Sequence, residues 1–156
     1  MCRGVKTNIL NRALENKHSY KKVFPGATAA DLNYYCVRTL EKDRPDISII
    51  HGGTNRIGKD DAFEIAEEIV ETVRTCKSYG CNKVFVSGII NRPDHSEEVV
   101  KLNKILYNWQ FLHNFTFIFN ENIHSDCLAW DKHHLNVKGS LRLTSNFRRA
   151  LNKPYV

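Results

Sequence analysis

The feature that most constrains the fold of this chain is the alternation of short apolar runs with longer segments of helical periodicity. Three apolar runs, at residues 46–51, 83–90 and 115–119, are rich in β-branched and aromatic residues. Such runs are typical of strands that helices cover on both faces. A fourth candidate strand covers residues 20–24. Because strands that alternate with helices form mainly parallel sheets, the sequence predicts an α/β domain.

Four helices are predicted between and after these strands, from the spacing of apolar side chains and from capping residues. Thr28 followed three positions later by Asp31 has the arrangement of a capping box. Asp60 and Asp61 are possible caps of the next helix, which ends before Gly80. The predicted helical ranges are 29–41, 62–79, 96–112 and 138–151, preceded by a less regular opening helix at 5–16.

The composition favours one basic domain. With 156 residues and 42% hydrophobic content, residues 1–156 are long enough for a single core and too short for two ordinary domains. Lysine and arginine number 23 against 17 acidic residues, a formal net charge of +6. This charge favours loose contact with polyanions, but the basic residues are scattered, so we favour a solvated basic surface over a nucleic-acid site.

The cysteines and the first residues indicate a cytoplasmic, soluble protein. The five cysteines are odd in number and contain no C-x-x-C, which argues against a disulfide framework and a zinc knuckle. No signal peptide is recognisable, and no stretch has the length needed to span a membrane. We therefore expect reduced thiols and no membrane partner. The cysteines are Cys2, Cys36, Cys76, Cys81 and Cys127.

The loops that follow the predicted strands carry the residues best suited to chemistry. Ligands of parallel sheets bind beyond the carboxyl ends of the strands, where these loops meet. The backbone N–H groups of Gly26 and Gly53 and the side-chain amide of Asn55 form a set of donors suited to an oxyanion. Asp131, three residues before His134, would hold that imidazole in one tautomer, as in the base half of a serine triad.

Three ordered motifs in these loops resemble a known family. FPGAT at 24–28, HGGTN at 51–55 and DKHHLN at 131–136 look like the second, third and fifth sequence blocks of the SGNH, or GDSL-like, hydrolase superfamily. More narrowly, several longer runs resemble esterase-type domains of animal open reading frames, including some carried by non-LTR retrotransposons. These runs are FPGATAADLNYY, PDISIIHGGTNRI, VFVSGII and HLNVKGSLRLTSNF.

The resemblance implies a role for each matching residue. Gly26 and Asn55 would donate to the oxyanion, and Gly53 heads the third block. His134 would be the general base, and Asp131 would orient it. The family nucleophile is the serine of a Gly-Asp-Ser motif at the end of the first strand. That motif is absent from this sequence and would fall immediately before its first residue.

The resemblance also implies the fold and the activity. It predicts a three-layer α/β/α sandwich with a mainly parallel, flavodoxin-like sheet that lacks its first strand. It further predicts an esterase that acts on acyl esters without a metal or other cofactor. Because the nucleophile is absent, we expect a truncated pseudoenzyme with little turnover. Arg56, where the family usually has an aspartate, and Lys132, where it commonly has a glycine, depart from the pattern.

Simpler interpretations of the same residues stay open. Gly26 and Gly53 would also relieve tight turns, and Asn55 would also close a turn or cap a helix. A second group has the side chains of zinc ligands, but its spacing fits no standard zinc pattern. That group comprises His124, Asp126, Cys127, Asp131, His133 and His134.

Two other functions compete with the hydrolase. The first is a catalytically silent module that binds an anionic or acylated ligand, or RNA in a retroelement context. Arg56 in place of an acid would suit this function. The second, a nucleotide-binding Rossmann domain, is disfavoured because no G-x-G-x-x-G follows a strand. The sequence carries no signal for the oligomeric state.

Overall fold

The computed structural model of the protein describes residues 21–153. Short 3₁₀ helices at Thr54–Arg56 and Ser125–Cys127 lie in the connections after the first and third strands. The predicted opening helix at 5–16 lies outside the described residues. In chain order, the main elements are α1 (Ala29–Asp43), β1 (Ile47–Ile50), α2 (Ala62–Ser78), β2 (Lys83–Ser87), α3 (Ser96–Trp109), β3 (Thr116–Ile118) and α4 (Val137–Leu151).

The three strands form one parallel sheet in the order β1-β2-β3. Ile49 is the register partner of Phe85 in β2, and Phe85 is the partner of Thr116 in β3. Each pair of strands is joined through a helix, as the crossover between parallel neighbours requires. The predicted α/β domain with a parallel sheet is confirmed.

Helices cover both faces of this sheet. Side chains of a strand alternate between the two faces, so Val84 and Val86 pack in the core that α1, α2 and α3 share. Phe85, 1% exposed, points the other way and packs with Leu143 and Phe147 of α4. Both faces of β2 are therefore buried, and the predicted three-layer α/β/α architecture is confirmed.

The prediction of a strand at residues 20–24 is wrong for residues 21–24, the part that the structure describes. Residues 21–24 have no regular secondary structure, and β1 is an edge strand of the described sheet. A strand needs a neighbour with which to exchange backbone hydrogen bonds, and no described strand pairs with this segment. The ring of Phe24 instead stacks on Tyr35 of α1, with 4.5 Å between ring centroids.

The capping residues start the helices where the sequence predicts. Asp31 N–H donates to Thr28 Oγ1 at 3.2 Å, and Thr28 N–H donates to Asp31 Oδ2 at 2.9 Å, which completes the capping box of α1. Asp61 caps α2 by accepting from Phe63 N–H at 2.8 Å. The third predicted helix ends early, at Trp109, before Asn114 adopts a left-handed φ of 55°. None of the helices between residues 21 and 153 is long and apolar enough to cross a membrane.

Candidate active site

Two of the predicted site loops touch each other. Asn55 Nδ2 donates to the carbonyl oxygen of Ala27 at 2.8 Å, which ties the loop after β1 to the turn before α1. Gly26 lies in that turn, which Ala27 N–H closes by donating to Phe24 O at 3.1 Å. A side-chain amide carries two hydrogens, and this bond uses one of those on Asn55. Gly26 and Asn55 therefore belong to one corner of the fold.

Both predicted oxyanion glycines have a backbone that favours glycine. Gly26 has a φ of 76°, and Gly53, at the start of the 3₁₀ helix, has a φ of 101°. An L-residue with a side chain is strained in this region. Turn relief therefore accounts for both glycines, and a donor role for their N–H groups is a separate proposal.

Gly53→Ala is expected to destabilise the fold by about 3 kcal/mol, because backbone strain adds to crowding in a packed core. A Cβ there would lie 3.1 Å from Ile69 Cδ1 and 3.3 Å from Ile65 Cγ2. Gly80→Ala is the matched control, since Gly80 has a φ of 92° but no atom within 4 Å of the added Cβ. Urea unfolding should give a loss of only about 1 kcal/mol for the control. Equal losses in the two variants would contradict the packing argument.

The predicted acid–base pair is in direct hydrogen-bond contact. His134 Nδ1 lies 2.6 Å from Asp131 Oδ2. The other carboxylate oxygen, Oδ1, accepts from the backbone N–H groups of His133 at 3.0 Å and of His134 at 2.9 Å. Because three bonds converge on Asp131, the carboxylate and the imidazole are held in one fixed relation.

A tight loop produces this arrangement. Lys132 N–H donates to Ala129 O at 2.9 Å, and Ala129 N–H donates to His134 O at 2.7 Å. Lys132 adopts a left-handed φ of 57°, where glycine carries the least strain. Lys132 is therefore a site of local backbone strain.

Asn136 anchors the end of that loop. Its Oδ1 accepts from Gly139 N–H at 3.0 Å and so caps α4, while its Nδ2 donates to Asp126 O at 2.8 Å and Leu128 O at 3.1 Å. Gly139 permits this close packing, because a Cβ there would lie 2.3 Å from Cys127 O. The loop that carries Asp131 and His134 is therefore held at its end by bonds to α4 and to the segment at Asp126 and Leu128.

The Asp131 carboxyl is expected to titrate below the ordinary aspartate range, which centres near a pKa of about 3.9. The backbone N–H of His134 lowers the Asp131 pKa most, followed by the His134 ring and the His133 N–H. A lowered pKa stabilises the folded state above the unfolded pKa, and this contribution is lost as the pH falls through the folded value. The prediction is checked by NMR titration of the Asp131 side-chain carboxyl.

His134→Ala provides the control for this titration. It removes the ring bond and keeps both backbone bonds, so the Asp131 pKa should rise part of the way toward the ordinary value. An unchanged Asp131 titration in His134→Ala would show that the two side chains do not interact in solution.

A buried polar chain, which the sequence analysis missed, joins the carboxyl ends of all three strands. His51 Nδ1 and Ser87 Oγ lie 2.9 Å apart, and Asn120 Nδ2 donates to the same Ser87 oxygen at 2.8 Å. Asn146 of α4 donates to Asn120 Oδ1 at 2.9 Å. Ser87, Asn120 and Asn146 are buried. A serine at the end of an otherwise apolar strand was the one local signal for this network.

His51 is one exposed end of this hydrogen-bonded chain. Although the residue keeps access to solvent, protein atoms packed around its ring lower its pKa, and the charge of Lys21 lowers it further. The ring also meets that of Phe147 edge-on, with 6.0 Å between centroids. His51 therefore links the end of β1 to the helix on the far side of the sheet.

The topology places the predicted site loops along one edge of the sheet. The strands are parallel, so the loop that carries Asn55 and the loop that carries His134 both leave from the carboxyl edge. Neighbouring strands are about 4.8 Å apart, so the starts of these two loops are separated by about 10 Å. Arg92, after β2, bridges part of this space by donating to Thr54 O at 3.1 Å.

Several members of the group of zinc-ligand residue types make contacts other than with a metal ion. Within residues 21–153, no three His, Cys, Asp or Glu side chains are placed to hold a metal ion. Asp126 pairs with Lys138, and Cys127 is completely buried in the core beneath α4. Arg56, which departs from the family pattern, forms an ion pair: its guanidinium donates to both carboxylate oxygens of Asp60, at 2.5 and 2.6 Å.

Comparison with solved structures places the described fold with the α/β/α fold of GDSL-like esterases and lipases. A crystal structure of a member of the lipolytic protein G-D-S-L family from Veillonella parvula superposes with a TM-score of 0.77 at 15% sequence identity. The match covers 96% of this chain and 88% of that one. At this identity the likeness shows the fold alone.

Two further structures carry esterase names. A carbohydrate esterase family 3 protein from Talaromyces cellulolyticus matches with a TM-score of 0.71 at 19% identity, over 88% of this chain and 75% of that one. An acetyl esterase mutant solved with an acetate ion matches with a TM-score of 0.72 at 20% identity, over 81% and 67%. No protein-family model and no curated protein matches the sequence.

Proposed function

We propose that this chain supplies the base and the oxyanion donors of an SGNH-type serine esterase that acts on acyl esters. The observation that carries the proposal is the Asp131–His134 contact of 2.6 Å, in a loop at the carboxyl edge of the sheet. The fold shared with GDSL-like esterases and an acetyl esterase supports the same reaction class. The sequence contains no Gly-Asp-Ser, and the proposal therefore assigns no nucleophile to a residue of this sequence.

The proposed roles follow from the contacts of each residue. Asp131 accepts from Nδ1 of His134, which fixes the tautomer and assigns proton uptake to Nε2. Gly26 N–H, Gly53 N–H and the amide of Asn55 are the proposed donors to the developing oxyanion. The bond from Asn55 to Ala27 would hold two of these donors in place before a substrate arrives.

The proposed reaction proceeds by acyl transfer. A serine hydroxyl attacks the ester carbonyl while His134 takes its proton, and the carbonyl oxygen gains negative charge that the donors stabilise. Collapse of this intermediate expels the alcohol, which receives the proton from His134. Water then attacks the acyl-enzyme with His134 again as the base, and the carboxylic acid leaves.

The test is an ester hydrolysis assay on a matched pair of chains. One chain carries an added N-terminal strand that ends in Gly-Asp-Ser, and the other an identical strand that ends in Gly-Asp-Ala. Short-chain acyl esters should be hydrolysed by the first and not by the second, while the unextended chain shows little turnover. Equal activity of all three, at equal folded content, would refute the assignment.

The same assay separates the esterase from a catalytically silent binding module. The pairing of Arg56 with Asp60 weakens the argument that Arg56 supplies an anion site, because a ligand would have to displace a bidentate carboxylate. Salt-dependent RNA binding by the unextended chain, without hydrolysis by the extended one, would favour the binding module.

A further inference from the structure

Three cysteines meet at the amino ends of the strands, the edge opposite the proposed esterase site. Cys36 of α1 and Cys76 of α2 have their sulfur atoms 3.5 Å apart. Cys81, just before β2, also interacts with Cys76, and its own sulfur lies 3.2 Å from Ser48 Oγ. None of these thiols has a part in the proposed reaction.

The two thiols of the closest pair differ in access and in acidity. Cys36 is half-buried, whereas Cys76 is completely buried. The hydrogen bond between the two thiols lowers the pKa of Cys36, although burial opposes the shift. The same bond, together with burial, raises the pKa of Cys76. The thiolate is the nucleophile in thiol–disulfide exchange, so Cys36 is the side chain suited to react first.

We propose that Cys36 and Cys76 are a site of reversible oxidation, at which exchange with a low-molecular-weight disulfide forms an intramolecular disulfide between α1 and α2. Sulfur atoms in a disulfide lie about 2.05 Å apart, so the two thiols have to approach by about 1.5 Å. Both sulfurs sit on helices that already pack together.

The exchange balances in two steps. The Cys36 thiolate attacks one sulfur of the small disulfide, which forms a mixed disulfide on Cys36 and releases one thiolate. Cys76 then loses its proton to that thiolate or to water and attacks the Cys36 sulfur. This closes the Cys36–Cys76 bond and releases the second small thiolate. The protein loses two electrons and two protons, and the small disulfide is reduced to two thiols.

The new bond would clamp two helices whose cysteines are 40 positions apart. Cross-linking a loop of this length restricts the unfolded chain and stabilises the folded one. The thermal midpoint of unfolding is expected to rise by about 10 °C on oxidation. Since α1 follows directly from the turn that holds Gly26, the clamp would also fix that turn against α2.

The experiment oxidises the full chain with oxidised glutathione, blocks the remaining thiols with iodoacetamide, and maps the peptides by mass spectrometry. The expected result is a peptide pair that links Cys36 to Cys76, a higher thermal midpoint, and reversal of both by dithiothreitol. Cys36→Ser should abolish the link and the shift. Cys127→Ala, in the core on the other sheet face, is the matched control and should retain both.

Cys81→Ala tests which pair of cysteines forms the disulfide. It should leave the Cys36–Cys76 link intact, because the proposal gives Cys81 no part in it. A link between Cys76 and Cys81 in the unsubstituted chain would overturn the proposal. So would a glutathione adduct on Cys36 that does not resolve, or thiols that stay reduced at equilibrium with oxidised glutathione. None of these outcomes depends on esterase activity.

Discussion

In the chain extended by a Gly-Asp-Ser strand, His134→Ala is expected to lower kcat/KM for a short-chain acyl ester by at least about a thousandfold. The imidazole is the only base that the account assigns to the serine, and Asp131 holds it at 2.6 Å. The loss should fall mainly on kcat, because the base acts in the transition state and contributes little to substrate binding.

His133→Ala is the matched control for this variant. His133 is the neighbouring exposed histidine, and only its backbone N–H contacts Asp131. Alanine keeps that N–H, so the control should retain activity within a few-fold. A comparable loss in both variants would mean that the loop has been disturbed as a whole, and an unaffected His134→Ala would remove His134 from the mechanism.

Asn120→Ala is expected to lower the free energy of unfolding by about 3 kcal/mol, since it removes three hydrogen bonds from a buried polar network. Asn120 is 5% exposed and donates to Ser87 Oγ and to Gly88 O, the latter at 2.6 Å. Asn146 Nδ2, also buried, would lose its acceptor on Asn120. Urea unfolding monitored by circular dichroism measures the loss.

The control for this variant is Asn122→Ala, at the other exposed end of the same network. Asn122 exchanges hydrogen bonds with Asn146 at 2.8 and 3.1 Å, but water can replace it because the residue is exposed. Its loss should stay below about 1 kcal/mol. If Asn122→Ala were as destabilising as Asn120→Ala, the buried part of the chain would not be what holds the strand ends together.

Local features of the chain predicted its helices well. The starts of α1 and α2 follow from caps that lie next to them in sequence, at Thr28 with Asp31 and at Asp61. The three observed strands fall inside the predicted apolar runs, because β-branched and aromatic residues on both faces suit a buried parallel sheet. These signals are local, so no knowledge of distant contacts was needed.

Features that depend on distant partners were predicted less well. The segment at 20–24 has strand-like residues, but its described part pairs with no described strand. The chain from His51 to Asn146 joins the carboxyl ends of three strands to α4, and only the polar Ser87 at the end of β2 hinted at it. Side-chain hydrogen bonds between distant elements have no sequence period, which is why pattern analysis passes over them.

In the candidate site, too, local features were predicted better than contacts between distant parts of the chain. The spacing of Asp131 and His134 is a short-range feature, and the two side chains are in contact as that spacing predicts. The bond between Asn55 and Ala27 was not foreseen, and it joins two loops that the sequence analysis only expected to share an edge. The central claim of the proposed function is that the oxyanion donors and the base, His134, act on the same bound ester.

A crystal structure of the Gly-Asp-Ser-extended chain, after reaction with a phosphonate ester that traps the serine, tests that claim most directly. The phosphonyl oxygen is expected within about 3 Å of Gly26 N and Asn55 Nδ2, with His134 Nε2 beside the serine oxygen. A phosphonyl oxygen bound only by water, with His134 turned to another face of the molecule, would contradict it.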